Sequence, residues 1–159
     1  MPKNSILALL APAFFMAALS LPAHAQSPFR GAVTDDWAER QVQAYVDVWS
    51  TDAGVTAESV ERFYAPRAVY YGKSMSRAQI LADKRRYVRS WPERRYAMVP
   101  GTVRVRCDAS RETCRATGTM QWSRRSAAGR RVTGASRMSF TLTKSSGGKI
   151  VRESAVTLR

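Results

Sequence analysis

The chain has 159 residues, long enough for one compact domain and short for several. Its formal net charge is +14, with 26 Lys and Arg against 12 Asp and Glu, and arginine supplies 21 of the 26. A field of this sign draws polyanions but carries no information about fold.

The first 25 residues read as a secretory signal peptide. Lys3 gives a positive start, and Ile6 to Leu21 form an apolar stretch interrupted by Pro12. Pro22 breaks it, and Ala23-His24-Ala25 presents small residues at both recognition positions of an A-x-A site, so the cut is expected after Ala25. The other reading, an uncleaved anchor, is weakened by the length of the stretch, which is slightly short of the about 20 apolar residues that span a bilayer. No Cys stands beside the cut to carry a lipid, and no later segment is apolar enough to cross a membrane.

Export has chemical consequences. His24 is the only histidine, so the mature chain, starting at Gln26, contains no imidazole. Loss of Lys3 takes the charge from +14 to +13. The expected location is the periplasm or the exterior. There the available polyanions are lipopolysaccharide phosphates, acidic lipids and acidic glycans; nucleic acid is not an expected partner.

Residues 26–33, with Pro28 and Gly31, read as a flexible lead-in to a domain over 34–159. Thr34 is placed as an N-cap, with Asp35 and Asp36 in a first turn where the helix dipole favours negative charge. Trp37, Val42, Tyr45, Val46 and Trp49 recur at helical spacing, which predicts a helix to about Ser50. Thr56 opens a second helix carrying Val60, Phe63 and Tyr64, with Pro66 just past its end. Ala68 to Tyr71 predicts a brief strand stopped by Gly72. Ser76 caps a third helix with the apolar stripe Ile80, Leu81, Tyr87 and Val88. Lys84, Arg85 and Arg89 are assigned to solvent, and Trp91-Pro92 ends the helix.

From Tyr96 onward the period becomes two. Val103, Val105 and Cys107 alternate with Arg104 and Arg106. Cys114, Ala116, Gly118, Met120 and Trp122 alternate with polar residues, as do Ser136, Met138, Phe140 and Leu142. Ile150 to Leu158 makes the last strand. Three hairpin-like connections join these four strands into an antiparallel meander. Cys107 and Cys114, the only cysteines, suit a disulfide across a hairpin neck in an exported chain. Closing so short a loop contributes about 2–3 kcal/mol on a chain-entropy argument. Their spacing is neither a zinc pattern nor C-x-x-C. Pairing 107 with 114 sets 105 opposite 116 and 103 opposite 118, all on one face. The opposite face is rich in Arg and Thr.

Helix, helix, short strand, helix and four long strands is an order that resembles the NTF2-like, or SnoaL-like, superfamily. Two stretches carry the resemblance: R-F-Y-A-P-R-A-V-Y-Y-G-K (Arg62 to Lys73) and G-G-K-I-V-R-E-S (Gly147 to Ser154). The segment D-K-R-R-Y-V-R-S-W-P (Asp83 to Pro92) is similar to small exported bacterial domains of this type. The resemblance implies an α+β cone: three N-terminal helices packed on a curved, mainly antiparallel sheet, often dimeric through that sheet. It does not fix an activity, since the superfamily holds isomerases, dehydratases and association domains alike. Members resembling scytalone dehydratase use histidines, which the mature chain lacks. Members resembling ketosteroid isomerase pair carboxylates with a tyrosine, which points here to Asp47, Asp83 and Tyr71 or Tyr70 as catalytic candidates.

Each candidate also has a plainer reading. Asp47, between Val46 and Val48, and Asp83, before a basic cluster, suit solvated helix positions. Tyr45, Trp49, Tyr70, Tyr87, Trp91 and Trp122 line a pocket for an apolar or glycan ligand, or simply fill the core. Arg152 points inward if Ile150, Val156 and Leu158 do, and then needs a carboxylate partner or a ligand; a bulge would turn it outward. Arg85, Arg86, Arg89, Arg94 and Arg95 interleave with aromatics in a run suited to gripping an anionic polymer. The expected function is an exported, non-enzymatic binding or association module, with an anionic envelope polymer or an envelope protein as partner. No cofactor or metal is expected. The alternative is a histidine-free isomerase or hydrolyase using a pocket carboxylate and a tyrosine.

Overall fold

The computed structural model describes residues 35–159; the leader, its cut, the lead-in and the Thr34 cap lie outside them. The described residues form three helices and seven strands. Helix α1 (Asp35–Trp49) buries Val42, Tyr45, Val46 and Trp49, the 3.6-residue stripe of its sequence, and keeps Asp35 and Asp36 in its first turn. Helix α2 (Ala57–Phe63) is capped by Thr56, whose side chain accepts from the Ser59 amide at 3.1 Å. Tyr64 is not on this helix: it opens strand β1 (Tyr64–Tyr70), which therefore begins four residues before the expected Ala68. Pro66 sits inside β1, in the interval between Tyr64 and Val69 where the ladder is irregular, so no strand bond needs its missing N–H.

At the end of β1, Tyr71 (φ 47°) and Gly72 (φ 83°) make a tight turn into β2 (Lys73–Ser76), a strand the sequence reading missed. Helix α3 (Arg77–Ser90) starts at a reciprocal cap: Ser76 Oγ accepts from the Gln79 amide, and Gln79 Oε1 from the Ser76 amide. It stops where the Trp91 amide turns back onto Tyr87 and Val88 ahead of Pro92. Then come β3 (Glu93–Met98), β4 (Arg104–Cys107), β5 (Thr113–Arg125), β6 (Arg131–Thr143) and β7 (Lys149–Leu158).

The strands make one sheet in the order β2-β1-β7-β6-β5-β3, with β4 also on β5. Only the β1–β7 pairing is parallel. Strands β4 to β7 are the expected antiparallel meander. Cys107 lies opposite Cys114 and is bonded to it, and Val105 lies opposite Ala116. Cys114 and Ala116 are fully buried on the face that meets the helices. Helix α1 crosses β3, β4 and β5, while α3 packs on β1 and β2.

The last strand departs from strict alternation. Leu142 pairs with Ile150, but Thr141 pairs with Arg152, so Val151 is an extra residue and every side chain beyond it changes face. Ile150 is buried, as expected. Val156 (67% exposed) and Leu158 (38%) are on the outside, and Glu153 (1%) is inside. Arg152 is therefore exposed, which corrects the inward placement.

Candidate functional site

A cavity of about 610 Å³ lies between α1, α3 and the sheet. At its floor is Glu153, opposite Phe140 on the inner face and nearly without solvent exposure. Both of its oxygens accept hydrogen bonds: Tyr45 donates to Oε1 at 2.7 Å and Tyr64 donates to Oε2. The Tyr71 amide donates to the Glu153 carbonyl at 3.0 Å, which ties the β1–β2 turn to the floor.

Lys84 completes the cluster from α3. Its ammonium donates to Tyr45 Oη at 3.0 Å and lies 4.1 Å from the Trp49 ring centroid, 5.0 Å from Tyr45, 5.4 Å from Tyr70 and 5.6 Å from Tyr64. Four rings thus surround one cation. The assignment of Lys84 to solvent is corrected. Lys84 follows Ile80 by four and precedes Tyr87 by three, so helical spacing itself puts it on the inward stripe. Its charge argued the other way, and the rings supply the environment that reverses that argument.

Burial raises the Tyr45 and Tyr64 hydroxyls well above the usual 10.0, with Glu153 adding to the shift, and raises Tyr70 in the same direction. Burial lowers Lys84 from 10.5 to about 8; Glu153 and Asp83 oppose that shift and Arg94 adds to it. These shifts set a stability profile. Between pH 8 and 10.5 the unfolded chain keeps a proton on Lys84 that the folded chain releases, so stability rises with pH. Above pH 10 the unfolded tyrosines ionise while the buried ones stay protonated, so stability falls. We expect Lys84→Met to abolish the rise and keep the fall. Urea midpoints from about pH 7 to 11 check this, and a rise that survives in Lys84→Met would refute it.

A second polar group stands on the wall formed by β5. Arg124 lies with its guanidinium 4.3 Å from the Trp91 ring centroid, 4.9 Å from Trp122 and 5.7 Å from Tyr87, and it donates to Tyr87 Oη at 2.7 Å. Its Nε is buried and makes no hydrogen bond among the described residues. Trp122 lies flat over Gly134, where a Cβ would collide with the indole, and donates to Ser136 Oγ at 3.1 Å. The alternation Cys114…Trp122 reaches Arg124 in one further step, a signal present in the sequence.

The expected site residues divide as follows. Tyr45, Trp49, Tyr70, Tyr71, Tyr87, Trp122 and Asp83 line the cavity. Trp91 is one layer back, against Arg124. Asp83 pairs with Arg86 one turn along α3. Asp47 is corrected: it is exposed on α1 and accepts from Gln43 at 2.8 Å, away from the cavity. Arg94 is also corrected. Its guanidinium is buried and donates to the carbonyls of Trp49 (3.1 Å) and Thr51 (2.7 Å) and to Asp52, so it cannot grip a polymer. Arg85, Arg86, Arg89 and Arg95 are exposed. Glu153, Tyr64, Lys84 and Arg124 were not among the expected site residues. Among the described residues no group of three or more His, Cys, Asp or Glu side chains is placed to hold a metal, and no helix is long and apolar enough to cross a membrane.

No protein-family model and no curated protein matches the chain. Solved structures match its shape. An NTF2-like superfamily protein from Salmonella enterica serovar Typhimurium is similar with a TM-score of 0.61 and 10% identity, over 79% of this chain and 94% of that one. An NTF2-like protein of unknown function from Exiguobacterium sp. 255-15 is similar at 0.56 and 13%, over 74% and 98%. A protein described as a candidate aromatic ring hydroxylase, from Novosphingobium aromaticivorans, is similar at 0.64 and 16%, over 76% and 86%. Three helices laid on a mostly antiparallel sheet, with a cavity between them and these likenesses in shape, establish that the chain has the NTF2-like fold.

Proposed function

We propose that this is an exported binding module whose cavity takes a small amphiphilic anion, with an apolar ring inside and an acidic group at Arg124. The observation that carries this reading is Arg124 itself. It is a guanidinium on the wall of an open cavity, stacked among Trp91, Trp122 and Tyr87. A carboxylate or sulfonate against the cavity side of the guanidinium would form a charge-assisted bond, while the rings and Met138 supply apolar contact.

Acid–base catalysis is the second reading, favoured by a carboxyl in contact with tyrosine hydroxyls at the cavity floor. Binding is preferred because both Glu153 oxygens are already occupied and the side chain is covered. A substrate proton would reach it only after a tyrosine moved away.

The test is titration of tryptophan fluorescence with 1-naphthoate. We expect saturable binding, weakened at least about tenfold (1.4 kcal/mol) in Arg124→Gln. Binding of 1-naphthylmethanol, which has no charge, should change little. No saturable response, or equal losses for both compounds, would overturn the assignment. Export predicts that native material starts at Gln26, which intact mass measures. Association through the outer sheet face, where Val156 and Leu158 are exposed, predicts a dimer in sedimentation. Arg85, Arg86, Arg89 and Arg95 leave a role for an anionic polymer; retention on heparin should then fall steeply with salt.

A further inference from the structure

Lys84 is an ammonium held among aromatic rings. Surface ammonium groups are stabilised by water and by nearby carboxylates. Lys84 is partly buried, faces four rings, and its ammonium makes one hydrogen bond among the described residues, to Tyr45 Oη. None of the ion pairs among the described residues includes it. Lost hydration outweighs the opposing pull of the Glu153 and Asp83 charges, and its proton is held less tightly than that of an exposed lysine. Lys84 lines the same cavity as Arg124. Lys73 also borders the cavity but is exposed, and Lys144 and Lys149 are on other elements.

We infer that Lys84 captures carbonyl compounds, so that an aldehyde or ketone entering the cavity forms an imine with its Nζ. The neutral amine adds to the carbonyl carbon, giving a carbinolamine. The C–O bond then breaks, the nitrogen loses its second proton, and that proton leaves with the hydroxyl as water, so no oxidant or reductant is consumed. Tyr45 Oη is 3.0 Å from Nζ and 2.7 Å from Glu153 Oε1. It is a positioning residue that can relay the proton without itself staying ionised. The ligand class follows from the lining: a carbonyl group on an apolar ring, with an acid that Arg124 can meet. The inference rests on the cavity being open to ligand, as the binding reading requires.

The experiment uses the full mature chain, 4-carboxybenzaldehyde and cyanoborohydride at neutral pH, with peptide mapping of the reduced adduct. Lys84 should be labelled at least about tenfold faster than Lys73, Lys144 or Lys149, because each unit by which a proton is held less tightly raises the free-amine fraction tenfold. Lys84→Arg keeps a cation among the rings and should lose that adduct while the circular dichroism spectrum stays unchanged. Uniform labelling, or no label on Lys84, overturns the inference on the unaltered protein, whether or not the variant folds. Binding of 4-carboxybenzyl alcohol, which cannot form an imine, separates the two failures. If the alcohol still binds, only the lysine chemistry falls; if it does not, the binding reading falls as well.

Discussion

Glu153→Ala is expected to lower the stability of the folded chain by about 3–5 kcal/mol, because it removes one partner from a buried, hydrogen-bonded cluster. The carboxyl accepts from Tyr45 and Tyr64, whose hydroxyls lie 3.0 Å apart, so once it is gone one can donate to the other and one donor is left without its acceptor. Each orphaned buried donor costs about 1–3 kcal/mol. Lys84 also loses the charge that partly offsets its burial. If this account is right, replacing the cluster as a whole should cost much less than breaking it. Glu153→Leu combined with Tyr45→Phe, Tyr64→Phe and Lys84→Met removes the carboxyl, both donors and the ammonium together and should recover more than half of the loss. Urea unfolding of the two variants measures both numbers. A loss below about 1 kcal/mol for Glu153→Ala would mean that the carboxyl is solvated, and the floor as described would be wrong.

Arg94→Met should cost about 3–5 kcal/mol for a related reason, although its partners are mainly backbone. The last carbonyls of a helix have no partner within it, and the helix dipole makes that end negative. Arg94 answers both at the end of α1: Nε donates to the Trp49 carbonyl and Nη2 to the Thr51 carbonyl, with Pro92 O at 3.3 Å from Nη1. The ion pair with Asp52 is the lesser part, since the Asp52 side chain is 62% exposed. Asp52→Ala should therefore cost less than about 1 kcal/mol. Arg94→Lys should recover less than half of the loss, because one ammonium cannot span carbonyls that a planar fork reaches together. Thermal unfolding of the three variants sets the order. Equal losses for Arg94→Met and Asp52→Ala would show that the exposed ion pair, and not the carbonyls, is what the arginine serves.

The two arginines show why charge in a sequence is a poor guide to exposure. Arg94 and Arg95 are adjacent and chemically identical, and a strand sends one to the core and the other to solvent. Which one goes in depends on where β3 pairs with β5, and that register puts Arg94 opposite Arg124. A run of arginines therefore suggested one anion-binding strip, while the fold divides it between a helix-end clamp, an exposed face of α3 and the outer side of β3. Lys84 repeats the point on a helix. Its spacing marked it as inward, and the rings from α1 and β1 together with the charges of Glu153 and Asp83 make that position tolerable for an ammonium.

Local chemistry wrote the starts of α2 and α3, the hairpins of the meander and the 107–114 pairing into the sequence. Caps such as Ser76 with Gln79 and the alternation through Cys114 to Trp122 depend on residues a few positions apart, which any reader of the chain can see. The floor of the cavity could not be read in this way. One extra residue at Val151 inverts the rest of β7, turning Arg152 out and Glu153 in, and nothing in Ile150 to Leu158 announces it. A bulge is selected by which strand lies alongside and by what the inner face can hydrogen-bond. Here those partners are Phe140, Tyr45 and Tyr64, on three distant parts of the chain. Burial of a carboxyl is favourable only where such donors converge, so it was decided by tertiary structure.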